Sequence, residues 1–570
     1  MIAHVTDAKS ANLDSTAKPA AAALPIRGQT PWWQSSLAVG LLGSLLLFAS
    51  LPPLHFWPLA WVAPLPWLLL IARRKLRSRR PKLMLYFVGF VFWMGTLHWL
   101  RLPHWATSFG WVACSGYLAV YSLLFMLLSR VAVHRLGISI VAAAPLVWTG
   151  LEVARGYMLG GFTMASLAHT QYQWHAWIQL ADVIGCYGMN GLVVLVAACL
   201  LRMTPLAGTR AAIWPIVPAL LAFAVPLAYG VWRTSGEHTR PGATVALIQG
   251  SIDTTFEDEP DRDMRAMAQY GNLTKQAFEH RSRRQQNQPE LPDIDLVVWP
   301  ESMFRSPLVS FSPDFEMPPE MKRMAKGRSK EEIEAELKGA LGKFFSPLGT
   351  AALVGLGREH LTPSRQQRFN SAAFVAADGK LASVYDKMKL VMFGEYVPLF
   401  SYWPALYKLT PMGEGVAPGQ RATAEKIGGV WFSPSICFET VVPHLYRRQI
   451  HQLRGEGREP EVIVNVTNEG FFWGSSELDL HLMCGVFRAV ECRKPLLIAA
   501  NTGISAWIDA EGKIIEKGPK RDTSFIIADV ELDDRGSFFL EYGGLLEVLY
   551  VVPCFGLAAV GWRDRKRPVA

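Results

Sequence analysis

Hydrophobic positions along the chain come in two textures. Up to residue 232, and again after 544, they form long unbroken runs; in between they form short runs cut by polar clusters. The long runs lie near 33–52, 54–72, 83–102, 109–129, 138–159, 179–201, 213–232 and 545–562, and approach the ~20 residues a helix needs to cross hydrocarbon. They predict about eight transmembrane helices, seven before the polar segment and one after it. The second run holds Pro58, Pro64 and Pro66, and is expected to be kinked or irregular.

The links between the runs set an orientation. "RRKLRSRRPK", between runs two and three, has seven basic residues, and the following even-numbered links carry Arg130 and Arg135, then Arg202 and Arg210. The tail reads "RDRKRP", while the opposite links carry almost no basic residue besides Arg101. This positive-inside pattern puts both termini in the cytoplasm and residues 233–544 on the far side, the periplasm of a diderm bacterium. Composition agrees: half of the 570 residues are hydrophobic and only 18% are charged. The net charge of +9 sits beside apolar runs, which argues against a nucleic-acid partner. The Ala-rich segment 1–32 is expected to be disordered, and 563–570 to be a basic cytoplasmic tail. Glu152 and Arg155 share one face of the fifth run toward its outer end, where such residues either pair inside the bundle or snorkel.

From about 243 the pattern becomes β-rich: "TVALIQG", "IDLVVWP", "AALVGLG", "VWFSPSIC", "EVIVNVT", "LLIAANT" and "FIIADV" alternate with amphipathic helical stretches. "AADG" and "DAEG" read as hairpin turns. The expected architecture is a mixed α/β layered domain, with 305–345 as a surface insertion holding one helix. Seven cysteines, without a CxxC pair or metal-ligand spacing, predict free thiols and no metal site. Cys484 and Cys492 fall on one helix about 12 Å apart, too far for a disulfide.

Three strand ends carry chemistry. "WPES" places Glu301 after an apolar strand, "YDKMKLVMFGEYVPL" supplies Lys387, Lys389 and Glu395, and "SICFET" supplies Cys437 and Glu439. A lone cysteine in a strand is usually inert packing. A carboxylate that takes its proton and an ammonium that stabilises the thiolate and the later oxyanion would turn it into a nucleophile. Both lysines could share one face of an extended strand, and spacing does not choose between them.

Together these motifs resemble the nitrilase superfamily of carbon–nitrogen hydrolases. With the flanking spans, and with "HFWPLAWVAPLPWLLL", "LEVARGYMLGGF" and "FRAVECRKPLLIAANTGISAWIDAEG", the resemblance extends to the apolipoprotein N-acyltransferase family. It implies an αββα sandwich over 233–544 attached to a bundle over 33–232 and a last helix at 545–562. It implies Glu301 as general base, Lys387 as oxyanion lysine, Cys437 as nucleophile, and Glu395 and Glu439 as auxiliary acids. Phe438 stands where many relatives have tyrosine, and "VTNEGFFWGSS" departs from the family's usual Asn-Asp-Ala-Trp-Phe-Gly loop. The implied reaction moves an acyl chain from a membrane phospholipid to the α-amine of a diacylated apolipoprotein through a thioester, with no cofactor. A monomer in the bacterial inner membrane is expected. The alternatives are a membrane-tethered amidase or nitrilase, and a non-enzymatic lipoprotein-binding scaffold.

Overall fold

The computed structural model describes residues 35–207, 210–254, 261–392, 394–396 and 415–563. The segment 1–32, nearly all of the basic tail and part of the "FGEYVPL" motif lie outside the described residues.

All eight apolar runs carry helix. The first seven hold α1 (Ser36–Ser50), α2 (Leu65–Ala72), α3 (Pro81–Thr96), α4 (Thr107–Arg135), α5 (Ile140–Tyr157), α7 (Ala181–Arg202) and α8 (Ile216–Arg233), with the single turn α6 (His175–Ile178) before α7. Four helices among the described residues are long and apolar enough to cross a membrane: α4, α7, α8 and the last helix, Phe538–Arg563. The other runs fall short for physical reasons. The second is broken at its prolines into a 3-10 turn, Trp57–Trp61, and the 8-residue α2. Helices α1 and α3 have 15 and 16 residues, and α5 carries Glu152 and Arg155. Arg155 is buried and pairs with Glu152 at 2.5 Å, beneath the rings of Trp93 and Phe162, so the pair faces the bundle interior. Outward residues such as Leu220 and Val231 of α8 are exposed, as expected of a surface solvated by hydrocarbon.

The middle of the chain folds as β1 (Thr239–Gln249), α9 (Arg262–Asn287), β2 (Leu296–Phe311), α10 (Pro319–Met324), α11 (Lys330–Phe345), β3 (Ala351–Leu361), β4 (Gln366–Val375), β5 (Leu381–Asp386), β6 (Glu425–Ile427), β7 (Val430–Ile436), α12 (Pro443–Gly455), β8 (Val462–Thr467), α13 (Ser476–Cys492), β9 (Leu496–Ala500), β10 (Ala506–Ile508), β11 (Ile514–Lys517) and β12 (Ser524–Asp533). The apolar helix α14 (Phe538–Arg563) follows. The strands form two six-stranded sheets, ordered β12-β1-β2-β3-β4-β5 and β11-β10-β9-β8-β7-β6. Strands β1, β2 and β3 are parallel, as are β7, β8 and β9; the hairpins at Asp378–Gly379 and Glu511–Gly512 add antiparallel edges. The parallel strands read as continuous apolar runs because both their faces are covered.

Four layers result. Leu247, Val298, Leu353, Phe432 and Val464 pack between the sheets. Helices α9 and α11 cover the first sheet through Tyr270, Leu341 and Phe345. The second sheet is covered by α12 and α13, and α13 is buried at every position except Asp479. Such all-round burial follows from its place in the interior: its other face packs on the helical bundle, in one continuous apolar core that joins Phe487 and Val486 to Ala168 and Cys186. Residues 305–345 do not form a one-helix surface insertion. β2 continues to Phe311, two helices follow, and Phe345 of α11 packs against Trp299 with ring centroids 5.1 Å apart. All seven cysteines are free, and Cys484 and Cys492 both lie on α13.

Candidate active site

In open parallel sheets, polar residues collect where the strands end at their carboxyl edges. Glu301 comes from β2, Cys437 follows β7, and Asn468 follows β8.

Glu301 does not follow the strand, as the sequence suggested, but lies inside it at a bulge. Trp299 pairs with Val354 and Phe304 with Leu356, so Pro300 to Met303 stand opposite Gly355 alone. Ser302 takes a left-handed φ of 58° to make the bend. A Cβ on Gly355 would sit 2.3 Å from the Pro300 carbonyl oxygen and 2.5 Å from Glu301 Cα, so only glycine lets β3 pass this close. The bulge turns the Glu301 carboxylate inward, where the residue is 7% exposed.

Strand β5 ends at Asp386, whose carboxylate is gripped by Arg358 at 2.6 and 2.9 Å and by Ser371 at 2.6 Å. The next residue, Lys387, donates its backbone N–H to the Asn370 carbonyl at 2.8 Å. Its Nζ lies 3.2 Å from Glu301 Oε1 and 2.9 Å from Glu395 Oε1, at 1% exposure. Lys389 is not on a shared strand face with Lys387, because β5 has already ended. It contributes its backbone N–H to Glu439 at 3.0 Å. Burial alone would lower the Lys387 pKa; the facing carboxylates of Glu301 and Glu395 outweigh it and hold the ammonium well above the usual lysine value.

Cys437 opens a 3-10 turn, Cys437–Val441, with a left-handed φ of 50°. Strain of this kind in a non-glycine residue persists only where surrounding contacts hold it. Glu439 supplies one such hold. Its buried carboxylate accepts from the N–H groups of Ile436 and Met388, both at 2.7 Å, and from the Tyr385 hydroxyl at 2.8 Å. It thereby ties the lysine segment to the cysteine turn. Burial pushes its carboxyl up to about 7, against the pull of these donors. The Cys437 carbonyl supplies another, accepting from Asn465 Nδ2 at 3.3 Å and lying 3.1 Å from His481 Nε2. The bundle grips the same turn from below: Thr163 donates its hydroxyl to the Val441 carbonyl, and Phe162 stacks on Phe438 at 6.5 Å.

The half-buried Cys437 lies within electrostatic reach of both Glu301 and Lys387. Burial pushes its thiol well up and the Glu301 charge adds to this, while Lys387 and the Thr467 hydroxyl oppose. At rest the sulfur keeps its proton beside a charged ammonium and a carboxylate, an arrangement suited to nucleophilic attack on a carbonyl with proton transfer to the carboxylate.

Residues 43–199 match the model of the apolipoprotein N-acyltransferase N-terminal domain, and residues 244–538 match the carbon-nitrogen hydrolase model. The chain is 31% identical to an apolipoprotein N-acyltransferase of Geobacter metallireducens, over 92% of this chain and 95% of the relative. It is 29% identical to one of Rhodopirellula baltica, over 88% and 92%. The chain belongs to the apolipoprotein N-acyltransferase family. Among solved structures, Saccharomyces cerevisiae Nit3 of the nitrilase superfamily is similar at 18% identity and a TM-score of 0.33, covering 55% of this chain and 97% of that one.

The family's unusual loop here has a visible place in the site. The Asn468 backbone N–H, at the head of "NEGFFWG", donates to Glu301 Oε2 at 2.8 Å. Phe472 packs edge-on against Trp99 of the bundle at 5.0 Å. Sequence reasoning missed Asn370, whose Nδ2 donates to Glu301 Oε1 at 2.5 Å and Glu395 Oε1 at 2.9 Å. It also missed Asn465, Glu469 and His481. An amide in the apolar strands "FNSAAF" and "VIVNVT" was the available signal.

Proposed function

We propose that this chain transfers an acyl chain from a membrane phospholipid to the N-terminal α-amine of an S-diacylglyceryl-cysteine, with Glu301, Lys387 and Cys437 as base, oxyanion stabiliser and nucleophile. The observation that carries the reading is the Lys387 ammonium held between two carboxylates beside the strained cysteine turn. Glu301 takes the Cys437 proton as the sulfur attacks the ester carbonyl. Lys387 and the backbone N–H of Phe438 receive the developing oxyanion; such a donor is typically worth about 3–4 kcal/mol. The C–O bond breaks, the Glu301 proton goes to the leaving oxygen, and lysophospholipid departs, leaving a thioester. The neutral amine then attacks the thioester carbonyl, Glu301 takes its proton, the C–S bond breaks as that proton returns to sulfur, and the amide leaves. Glu395 orients Lys387, and Glu439 holds the turn.

The same reading places 233–544 as a periplasmic catalytic domain on a bundle of about eight spans, with cytoplasmic termini. The core shared by α13 and the bundle supports a site opening at the membrane surface, where both lipid substrates lie. Incubating the purified protein with phospholipid and mapping the added acyl mass tests this: the mass should fall on the Cys437 peptide and leave when a diacylated lipopeptide is added. An adduct that persists in Cys437→Ala refutes the nucleophile, and release of free fatty acid without N-acylated peptide supports the hydrolase alternative.

A further inference from the structure

The turn that carries Cys437 is held by a pair of side chains that do not touch the sulfur. His481, on α13, has Nε2 3.1 Å from the Cys437 carbonyl oxygen, and its Nδ1 makes a short contact with a Glu469 carboxyl oxygen. Both residues are 2% exposed. A carbonyl can only accept, so Nε2 carries a proton, and a second proton shared between Nδ1 and the Glu469 carboxyl fixes the ring from behind. Space is reserved for that carboxylate, since a Cβ on Gly503 would lie 1.7 Å from Glu469 Oε2.

The consequence follows from the peptide bond. The unit joining Cys437 to Phe438 is planar and trans, so its C=O and N–H point in opposite directions. Fixing the carbonyl against His481 and Asn465 aims the Phe438 N–H to the other side of the turn. That N–H belongs to the first turn of a helix, where backbone donors have no partner within the helix. A left-handed residue such as Cys437 does not keep this plane unaided. We propose that His481, held by Glu469, is a positioning residue that aims the Phe438 N–H at the oxygen of the carbonyl under attack. This rests on the acyl-enzyme reading above.

The test uses the full chain in detergent and two reactions of the same sulfur. With a p-nitrophenyl ester of a short fatty acid, the thiol proton goes to Glu301, the C–S bond forms, the C–O bond breaks and p-nitrophenolate leaves in a burst. Iodoacetamide alkylates the same sulfur by displacing iodide, with no oxyanion. His481→Ala should slow the burst about 10²-fold at an unchanged ester KM, the loss typical of one oxyanion donor. Alkylation should stay within about threefold. His481→Gln, whose amide N–H can replace the donor, should regain about tenfold, and Glu469→Gln should fall between.

A burst within about threefold of wild type in His481→Ala overturns the inference. So does alkylation that falls in step with the burst, or a His481→Gln no faster than the alanine variant. A wild-type protein without a burst, or a Cys437→Ala variant that keeps one, strikes the acyl-enzyme reading itself.

Discussion

Gly355→Ala isolates the bulge that delivers Glu301. The glycine's φ lies outside the left-handed region, so alanine meets no backbone penalty there and the effect is steric. The new methyl would lie 2.3 Å from the Pro300 oxygen and 2.5 Å from Glu301 Cα, both backbone-fixed atoms rather than ends of flexible side chains. Each separation falls roughly 1 Å short of ordinary contact, so β2 must move by about that much at Glu301. Displacements near 1 Å in a reacting group can cost about 10²-fold in rate. Overpacking of this kind typically costs about 1–3 kcal/mol of stability. The assay is the time course of the Cys437 acyl adduct with phospholipid, read by intact mass, alongside iodoacetamide labelling and thermal melting. Acylation should slow about 10²-fold while the protein stays folded. Gly339→Ala serves as control: beyond its own stretch of helix, no described atom lies within 4 Å of the added Cβ, and α11 should gain about 1 kcal/mol. Acylation of Gly355→Ala within about threefold of wild type would refute the claim that the bulge sets the position the Glu301 carboxylate needs for the proposed reaction.

Lys387→Met should abolish the acyl adduct, at least about 10³-fold, because it removes the proposed oxyanion donor and leaves Glu301 and Glu395 facing one another across Asn370 without the ammonium; time-resolved mass spectrometry checks it. Cys437→Gly should melt higher than Cys437→Ala by an amount equivalent to about 1 kcal/mol, since glycine adopts the φ of 50° without strain; equal melting temperatures would contradict stored strain at the turn. Glu439 holds a proton up to about pH 7 in the folded state, against an ordinary value of 4.5. The folded state therefore binds more protons in that window, and the stabilisation, about 3 kcal/mol, is complete below 4.5 and lost as pH rises through 7. Melting curves should fall from pH 5 to pH 8 more steeply in wild type than in Glu439→Gln.

Much of this was legible in the sequence because it depends on local pattern. Apolar runs marked the helices, and Gly-containing turns marked the β4–β5 and β10–β11 hairpins. The three motifs offered Glu301, Lys387, Lys389, Glu395, Cys437 and Glu439 because acid, ammonium and thiol stand out beside buried strands, and the family resemblance rather than the spacing singled out Lys387. What escaped depends on partners far along the chain. Asn370 is one amide among many until β4 sets it between two carboxylates that come from residues 69 and 25 positions away. His481 lies on a helix whose spacing is satisfied by packing alone, and only the fold brings it to Cys437, 44 positions earlier. The length of β2 escapes the sequence pattern because a bulge holding a proline and one carboxylate, Pro300 and Glu301, imitates a strand end. α11 was read as a surface helix because its charged positions outnumber the few, Leu341 and Phe345, that bury.

The burial of α13 bears on why a helical bundle accompanies this chemistry. A tether needs one helix and no contact with the site. Here the bundle reaches the Cys437 turn through Phe162 and Thr163, reaches the divergent loop through Trp99, and shares a core with the helix that carries His481. The Cys437 turn is thus clamped from the sheet by Asn465 and from the bundle by α5's following loop, with α13 between the two. A strained turn needs such over-determination, and supplying half of it from the bundle couples the thiol's position to the helices around it. Loosening Thr163 or Phe162 should therefore disturb Cys437 without touching any acid or base of the site, which a passive anchor would not allow.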